Sequence, residues 1–223
     1  MSLTLNIPEE GEKFKEFHGR NVEQMPLLVS EGRTPLSVAG LMQRRLETID
    51  ASMEVKSSWM DNYFDTGDAF AYHPDGRVKI VLDSQTLREI NPDSKRNSGA
   101  LVIIPEQYDA MSGEEFKKGE LGTLETSLSS IDVKLHPVWR ALARDQALLN
   151  DYTDMIFSEA KQRFKHASNM DVYLGSAKGK TPEMRAVCVY WLVDWSLVYG
   201  KNNLGNDNGR FAGTAPKMQM SKR

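Results

Sequence analysis

The residues best suited to chemistry are three carboxylates within a span of eight residues, Asp61, Asp65 and Asp68. Carboxylate oxygens are the ligands that hard divalent cations prefer, so this segment is a candidate metal site and a divalent cation is its candidate cofactor. The spacing lacks the alternating ligands of a calcium-binding helix–loop–helix. The alternative is an Asp-rich turn in which Asp65 or Asp68 accepts hydrogen bonds from nearby backbone amides.

Two further residues complete a hypothetical catalytic set. Asp194 lies in an apolar stretch, where a buried carboxylate needs either a hydrogen-bonding partner or a cavity. In a cavity its pKa would rise, which would suit a general acid or base. Arg77 is the basic residue that could join the acidic segment in one pocket. The candidate catalytic residues are Asp65, Asp68, Asp194 and Arg77.

The segment Tyr63–Asp68, followed by Pro74–Arg77, resembles a short motif of the acyl-adenylate-forming enzymes. In that family the last aspartate of the motif, matched here by Asp68, holds the ribose hydroxyls of ATP. The Ser/Thr/Gly-rich phosphate loop of those enzymes has no counterpart in this sequence. We therefore carry no function over from the resemblance.

Basic residues offer a nucleic-acid hypothesis. Arg44 and Arg45 lie on a helix predicted over residues 35–49, and Arg210 and Lys217 lie in a basic C-terminal segment. A helix and tail of this kind could contact phosphates if they shared one positive face. Glutamates interrupt the surrounding sequence, however, and this favours a solvated amphipathic face over a nucleic-acid surface as the explanation of the two arginines.

A small basic loop at residues 175–180, Gly-Ser-Ala-Lys-Gly-Lys, precedes a second predicted helix. Backbone amides and a helix N-terminus could bind phosphate there. The spacing of glycine, lysine and Ser/Thr in a Walker loop is absent. An exposed, flexible loop is the alternative interpretation.

Strands are predicted in the first half of the chain. Apolar residues alternate along both arms of a β-hairpin over residues 69–82, and Pro74-Asp75-Gly76 supplies its turn. The continuous apolar run 100–104 is typical of a central strand, buried on both faces and lying beside the hairpin. Residues 121–135 fit helical and strand spacing equally well, so both alternatives stay open.

Helices are predicted in the second half. A long helix follows Pro137 to about residue 166, with Asp145 and Asn150 as candidate breaks. Apolar residues on nearly every side of residues 183–199 predict a buried helix. The expected fold is α+β, with a small, mainly antiparallel sheet covered by helices and a helical C-terminal half. Residues 1–199 would form one domain, followed by a Gly/Asn-rich basic tail at residues 200–223.

The composition predicts a soluble protein of the cytoplasm. Of the 223 residues 40% are apolar, and the net charge of −3 does not indicate a polyanion-binding surface over the whole protein. The only cysteine, Cys188, cannot form an internal disulfide, which suits the cytoplasm. The apolar run 186–193 is too short for a membrane span, which needs ~20 residues, so no membrane partner is expected.

The absence of a nucleophile–base pair, of metal spacing and of a phosphate loop favours a non-catalytic interaction or assembly module. Eleven methionines and four tryptophans suit adaptable apolar contacts, so a protein partner or a homo-oligomer is expected. A small Asp-based enzyme, with or without Mg²⁺, and a nucleic-acid binder are the two alternatives. Whether the chain is an enzyme stays open at this stage.

Overall fold

The computed structural model describes residues 13–165, 169–192 and 196–215. Its helices are α1 (Asn21–Ser30), α2 (Val38–Glu47), α3 (Met53–Met60), α4 (Gln85–Arg88), α5 (Pro105–Ala110), α6 (Ser130–Leu135), α7 (Pro137–Ala143) and α8 (Gln146–Phe164). Its strands are β1 (Phe14–Gly19), β2 (Thr34–Pro35), β3 (Phe64–Tyr72), β4 (Val78–Val81), β5 (Arg96–Asn97), β6 (Ala100–Val102), β7 (Glu114–Phe116), β8 (Glu125–Thr126), β9 (Met170–Tyr173), β10 (Glu183–Val189), β11 (Ser196–Tyr199) and β12 (Gly209–Thr214).

All the described strands belong to one 12-stranded sheet. Its main path runs β1–β12–β3–β10–β11–β9–β8. The shorter strands attach beside this path: β2 to β12, β4 to β3, β7 to β4, β6 to β10 and β5 to β6. The β12–β3 and β11–β9 pairs are parallel and the other pairs are antiparallel, so the sheet is mixed.

The predicted fold, with a small and mainly antiparallel sheet and a helical C-terminal half, is wrong. Four strands, β9 to β12, follow the last helix and form much of the sheet. The segment predicted as a helix over residues 183–199 contains β10 and β11 instead. Every residue of β10 is buried, and a strand buried on both faces carries apolar residues without alternation, which is why its sequence resembles a buried helix.

The hairpin does form, within this larger sheet. Ala69 lies opposite Val81 and Tyr72 opposite Val78, and Gly76 takes the positive φ of 97° that the turn requires. Strand β3 begins at Phe64, however, so the acidic segment ahead of the hairpin is strand rather than loop. The predicted central strand at 100–104 is shorter, and it pairs with β10 and β5 instead of with the hairpin.

The sheet is covered on both faces. Alternate residues of β3 point to opposite sides: Phe70 and Tyr72 join a core with helices α2, α7 and α8, whereas Ala69 and Ala71 join a core with α1 and α4. The central strands β3 and β10 are consequently buried along their whole lengths. Only their ends can carry side chains that reach solvent.

Two ambiguities of the sequence are resolved. The long helix after Pro137 breaks at Arg144, which has a positive φ of 63°, and Asp145 caps α8 by accepting a hydrogen bond from the Leu148 amide at 2.7 Å. Residues 121–135 contain both structures, since β8 pairs with β9 and α6 follows it.

Part of the expected basic tail belongs to the sheet. Strand β12 lies between β1 and β3, and residues 216–223 lie outside the described residues. None of the helices that the structure describes has the length and apolar character needed to cross a membrane.

Candidate binding surface

Four partly exposed aromatic side chains meet at one end of the central strands. They form what we call the aromatic surface: Tyr63, Tyr190, Trp191 and Tyr199. The Tyr190 ring lies 5.0 Å from that of Trp191 and 5.4 Å from that of Tyr199, measured between ring centroids. The Tyr63 ring lies 5.5 Å from Trp191 and 6.1 Å from Tyr190. These distances place the four rings in one connected cluster.

The sheet explains why these residues meet. Tyr63 directly precedes β3, Tyr190 and Trp191 directly follow β10, and Tyr199 is the last residue of β11. Because β10 runs antiparallel to both neighbours, the end of β10 lies beside the start of β3 and close to β11. The cluster is therefore fixed by strand register rather than by a loop.

The backbone of the aromatic surface is fastened from inside by Arg45, whose side chain is fully buried. Its guanidinium donates to the carbonyl oxygens of Asn62 at 2.9 Å and of Tyr190 at 3.0 Å, each next to a ring of the cluster. It also donates to the Trp59 carbonyl at 3.0 Å and to the Tyr152 hydroxyl at 2.8 Å. Arg45 is thus an internal link between helices and strand ends, and it has no access to a nucleic acid.

The other predicted nucleic-acid residues are also engaged or lie elsewhere. The Arg44 guanidinium stacks near Phe14 and Trp59 and pairs with Glu47 at 3.0 Å. Arg210 is buried, with its guanidinium 5.1 Å from the Tyr63 ring centroid and 2.8 Å from a Glu16 carboxylate oxygen. Lys217 lies outside the described residues. A contiguous positive face made of these residues is not supported.

Asp65 lies in β3 beneath this region and is almost completely buried. Its carboxylate accepts hydrogen bonds from the Arg210 amide at 2.9 Å and from the Asn202 side chain. Burial raises its pKa to about 6, against these hydrogen bonds. Burial, reinforced by this carboxylate, also raises the pKa of the neighbouring Cys188 thiol, so Cys188 is not an activated nucleophile.

Asp68 has a separate structural environment. It accepts hydrogen bonds from the backbone amides of Val38 at 2.8 Å and Asp83 at 2.9 Å, and it pairs with Arg144 at 2.6 Å. Burial raises its pKa in spite of these contacts. Asp68 therefore ties α2 and the segment after β4 to β3. The turn interpretation expected nearby backbone amides, whereas the two amides that bind this carboxylate lie 30 and 15 residues away in the sequence.

The remaining members of the predicted catalytic and metal sets do not join them. Asp61 is exposed and pairs with Arg163, whereas Arg77 at the hairpin turn pairs with Asp75 at 2.9 Å and with Glu115 at 3.3 Å. Asp194 lies outside the described residues. Within the described part of the chain, no group of three or more His, Cys, Asp or Glu residues could hold a metal ion. The groups that contact the Asp65 and Asp68 carboxylates are N–H hydrogen-bond donors, which cannot act as ligands of a divalent cation.

The aromatic surface was missed in the sequence. Trp191 lies within the segment 183–199 that the sequence predicts as a buried helix, and Tyr63 begins the motif Tyr63–Asp68. The adjacent Tyr190 and Trp191, at the end of a long apolar run, are the one local signal. Burial raises the pKa of both Tyr63 and Tyr190, and the Tyr63 hydroxyl donates a hydrogen bond to the Asn208 carbonyl.

No family model and no curated protein matches the sequence. The structure is similar to a solved structure in which the C-type lectin fold accommodates massive sequence variation in Nanoarchaeota. The TM-score is 0.67, with 17% sequence identity over 91% of this chain and 98% of the other. At this identity the likeness shows the fold alone: the chain has a C-type lectin fold.

Proposed function

We propose that the chain is a non-catalytic binding module that holds a protein partner against the aromatic surface. The C-type lectin fold supports the general class, because the similar structure is a scaffold that tolerates massive variation of its sequence. The observation that carries the proposal is the cluster itself, in which four large aromatic side chains lie together and partly exposed. Tyrosine, tryptophan and arginine are enriched at the energetically dominant positions of protein interfaces.

The physical properties of the surface suit a protein partner. Each ring offers apolar area, and tyrosine and tryptophan side chains also carry hydrogen-bonding groups, although the Tyr63 hydroxyl already donates to the Asn208 carbonyl. The strand ends and the buried Arg45 hold the rings in place before binding, so little conformational entropy remains to be lost. Asp65 and Cys188, which lie beneath the rings, are both buried.

Substitution of one central ring tests the proposal. Proteins captured by the purified chain would be produced separately and titrated against the wild type and Trp191→Ala. Loss of a central aromatic residue should weaken binding by about thirtyfold, as is typical for a dominant interface residue. Ile131→Ala is the matched control, since Ile131 is 73% exposed on α6 and should not alter the affinity.

Two results would contradict the proposal. Equal affinities of the wild type and Trp191→Ala for every titrated partner would exclude the aromatic surface as the binding site. Self-association that is abolished by Trp191→Ala, measured by sedimentation, would show that this surface serves a homo-oligomer instead of a different protein. Circular dichroism of Trp191→Ala should match that of the wild type, because the partly exposed ring contributes little to the core.

A further inference from the structure

A second site, which none of the four residues of the aromatic surface lines, is a cavity of about 320 Å³. Its walls come from the basic loop after β9, from β10 and from the segment after β11. The polar residues that line it are Ser98, Ser176, Lys178, Arg185, Lys201 and Asn203. Three of these are cationic, and none of the described residues that line the cavity is an aspartate or a glutamate.

Arg185 is the buried member of this cationic set, with an exposed fraction of 6%. Its guanidinium donates to the backbone carbonyls of Ser98 at 2.7 Å and Lys201 at 3.2 Å, and also to that of Asn202. These acceptors are neutral, and no carboxylate within the described ranges forms an ion pair with Arg185. Burial lowers the pKa of Arg185, because its guanidinium loses hydration, although the nearby Glu183 carboxylate acts in the opposite direction.

The two lysines add charge from the rim. Lys178 is exposed and has no ion-pair partner among the residues that the structure describes. Lys201 pairs with Glu125 and lies 5.7 Å from the centroid of the Tyr173 ring. Two carboxylates, Glu125 and Glu183, therefore lie near three cations, which leaves one net positive charge around the cavity.

The basic loop does not bind an anion through its own amides. The amides of Lys178 and Gly179 donate to a Glu183 carboxylate oxygen, at 3.1 Å and 3.0 Å. The helix expected after this loop is strand β10, so no helix N-terminus is present. Recognition of an anion at this cavity would therefore depend on side chains.

We propose that this cavity binds a tetrahedral oxyanion, the phosphate or sulfate group of a small molecule, between Arg185, Lys178 and Lys201. Lysine ammonium groups act as point charges, which suits a tetrahedral anion approached from several directions. Arg185 already donates to three carbonyls, so it contributes its positive charge to the cavity, while the two lysines supply free ammonium donors. Ser176 and Asn203 offer further hydrogen-bonding groups on the wall.

An adjoining cavity could take the rest of such a molecule. It measures about 310 Å³ and shares Leu124, Gly175 and Ser176 with the first. Tyr72 and Val78 give it a more apolar lining. Together the two cavities reach the size of ordinary small-ligand sites, ~300 Å³ and above. The bound molecule would place its anionic group at Arg185 and its body towards the hairpin turn.

The test is a titration of the full chain with inorganic phosphate and with inorganic sulfate at constant ionic strength, against chloride. We expect saturable binding of at least one oxyanion by calorimetry, with a matching rise in the thermal midpoint. The double variant Lys178→Gln, Lys201→Gln should weaken binding by about tenfold or more. Lys180→Gln is the control, because Lys180 is an exposed lysine of the same loop that does not line the cavity.

The comparison of phosphate with sulfate shows which group is preferred, and binding of either supports the site. A response to both no greater than that to chloride would overturn the proposal. So would equal weakening in Lys180→Gln and in the double variant, because binding would then follow the general charge of the loop. The double variant alters only rim residues, so its unfolding midpoint in chloride should stay close to that of the wild type.

Discussion

Asp65 should make the stability of this protein depend on pH in an unusual direction. Burial raises the pKa of its carboxyl group from 3.8 to about 6 in the folded chain. The folded state therefore holds this proton more tightly than the unfolded state does. The stabilisation from the protonated group is fully present below pH 3.8, and it is lost as the pH rises through about 6.

The size of the effect follows from the two pKa values. A tenfold change in proton affinity corresponds to about 1.4 kcal/mol, so a rise from 3.8 to about 6 corresponds to about 3 kcal/mol. Asp65→Asn removes the titration. Its cost in packing and hydrogen bonding is the same at every pH. The difference in unfolding free energy between the variant and the wild type should therefore shift by about 3 kcal/mol in favour of the variant, from about pH 3.5 to about pH 7.5.

Urea denaturation across this pH range measures the shift, with the same m-value required for both proteins. Asp93→Asn is the matched control, since Asp93 is an exposed carboxylate and its removal relieves no buried charge. Parallel stability profiles for the wild type and Asp65→Asn would refute the reasoning. They would mean that the hydrogen bonds from Arg210 and Asn202 compensate fully for the hydration that the Asp65 carboxylate loses on burial.

Three further substitutions test the interior. Arg45→Met leaves four oxygen atoms without their hydrogen-bond donor. Urea denaturation should show that the free energy of unfolding falls by about 3 kcal/mol or more. An unchanged denaturation midpoint would contradict the linking role of Arg45. Tyr72→Phe removes a hydroxyl that donates to the Gly200 carbonyl at 2.8 Å and accepts from the Gly175 amide at 3.0 Å, which should cost about 1–2 kcal/mol by the same method. Gly200→Ala would place a methyl group 2.3 Å from that hydroxyl. We expect this overpacking to lower the free energy of unfolding by about 2 kcal/mol, measured as a lower thermal midpoint. The double variant Gly200→Ala, Tyr72→Phe should lose less than the sum, and strict additivity would argue against the steric explanation.

The sequence predicts local structure well where the cause is local. The hairpin depends on Pro74-Asp75-Gly76 and on alternation along two short arms, all within one segment. The break near Asp145 likewise depends on a capping side chain and its own helix. Such features need no knowledge of distant parts of the chain.

The sheet and the site could not be predicted in this way, because their causes are distant in sequence. Asp65 belongs to a buried strand since Asn202 and Arg210, more than a hundred residues later, satisfy its oxygens. The aromatic rings meet because β10 pairs with both β3 and β11. Segments 183–199 and 100–104 are apolar enough to be buried, but apolar content alone determines neither the element nor its neighbours.

The pairing of β1 with β12 has a practical consequence for how the protein can be immobilised on a surface. Phe14 lies opposite Thr214, whereas Gly19 lies opposite Gly209, next to the Asn208 carbonyl that binds the Tyr63 hydroxyl. A tag or linker joined before β1 or after β12 therefore departs from the same end of this strand pair. Six residues of strand, about 20 Å, separate that end from the aromatic surface. Immobilisation at a position directly before β1 or directly after β12 should therefore leave the aromatic surface facing away from the support.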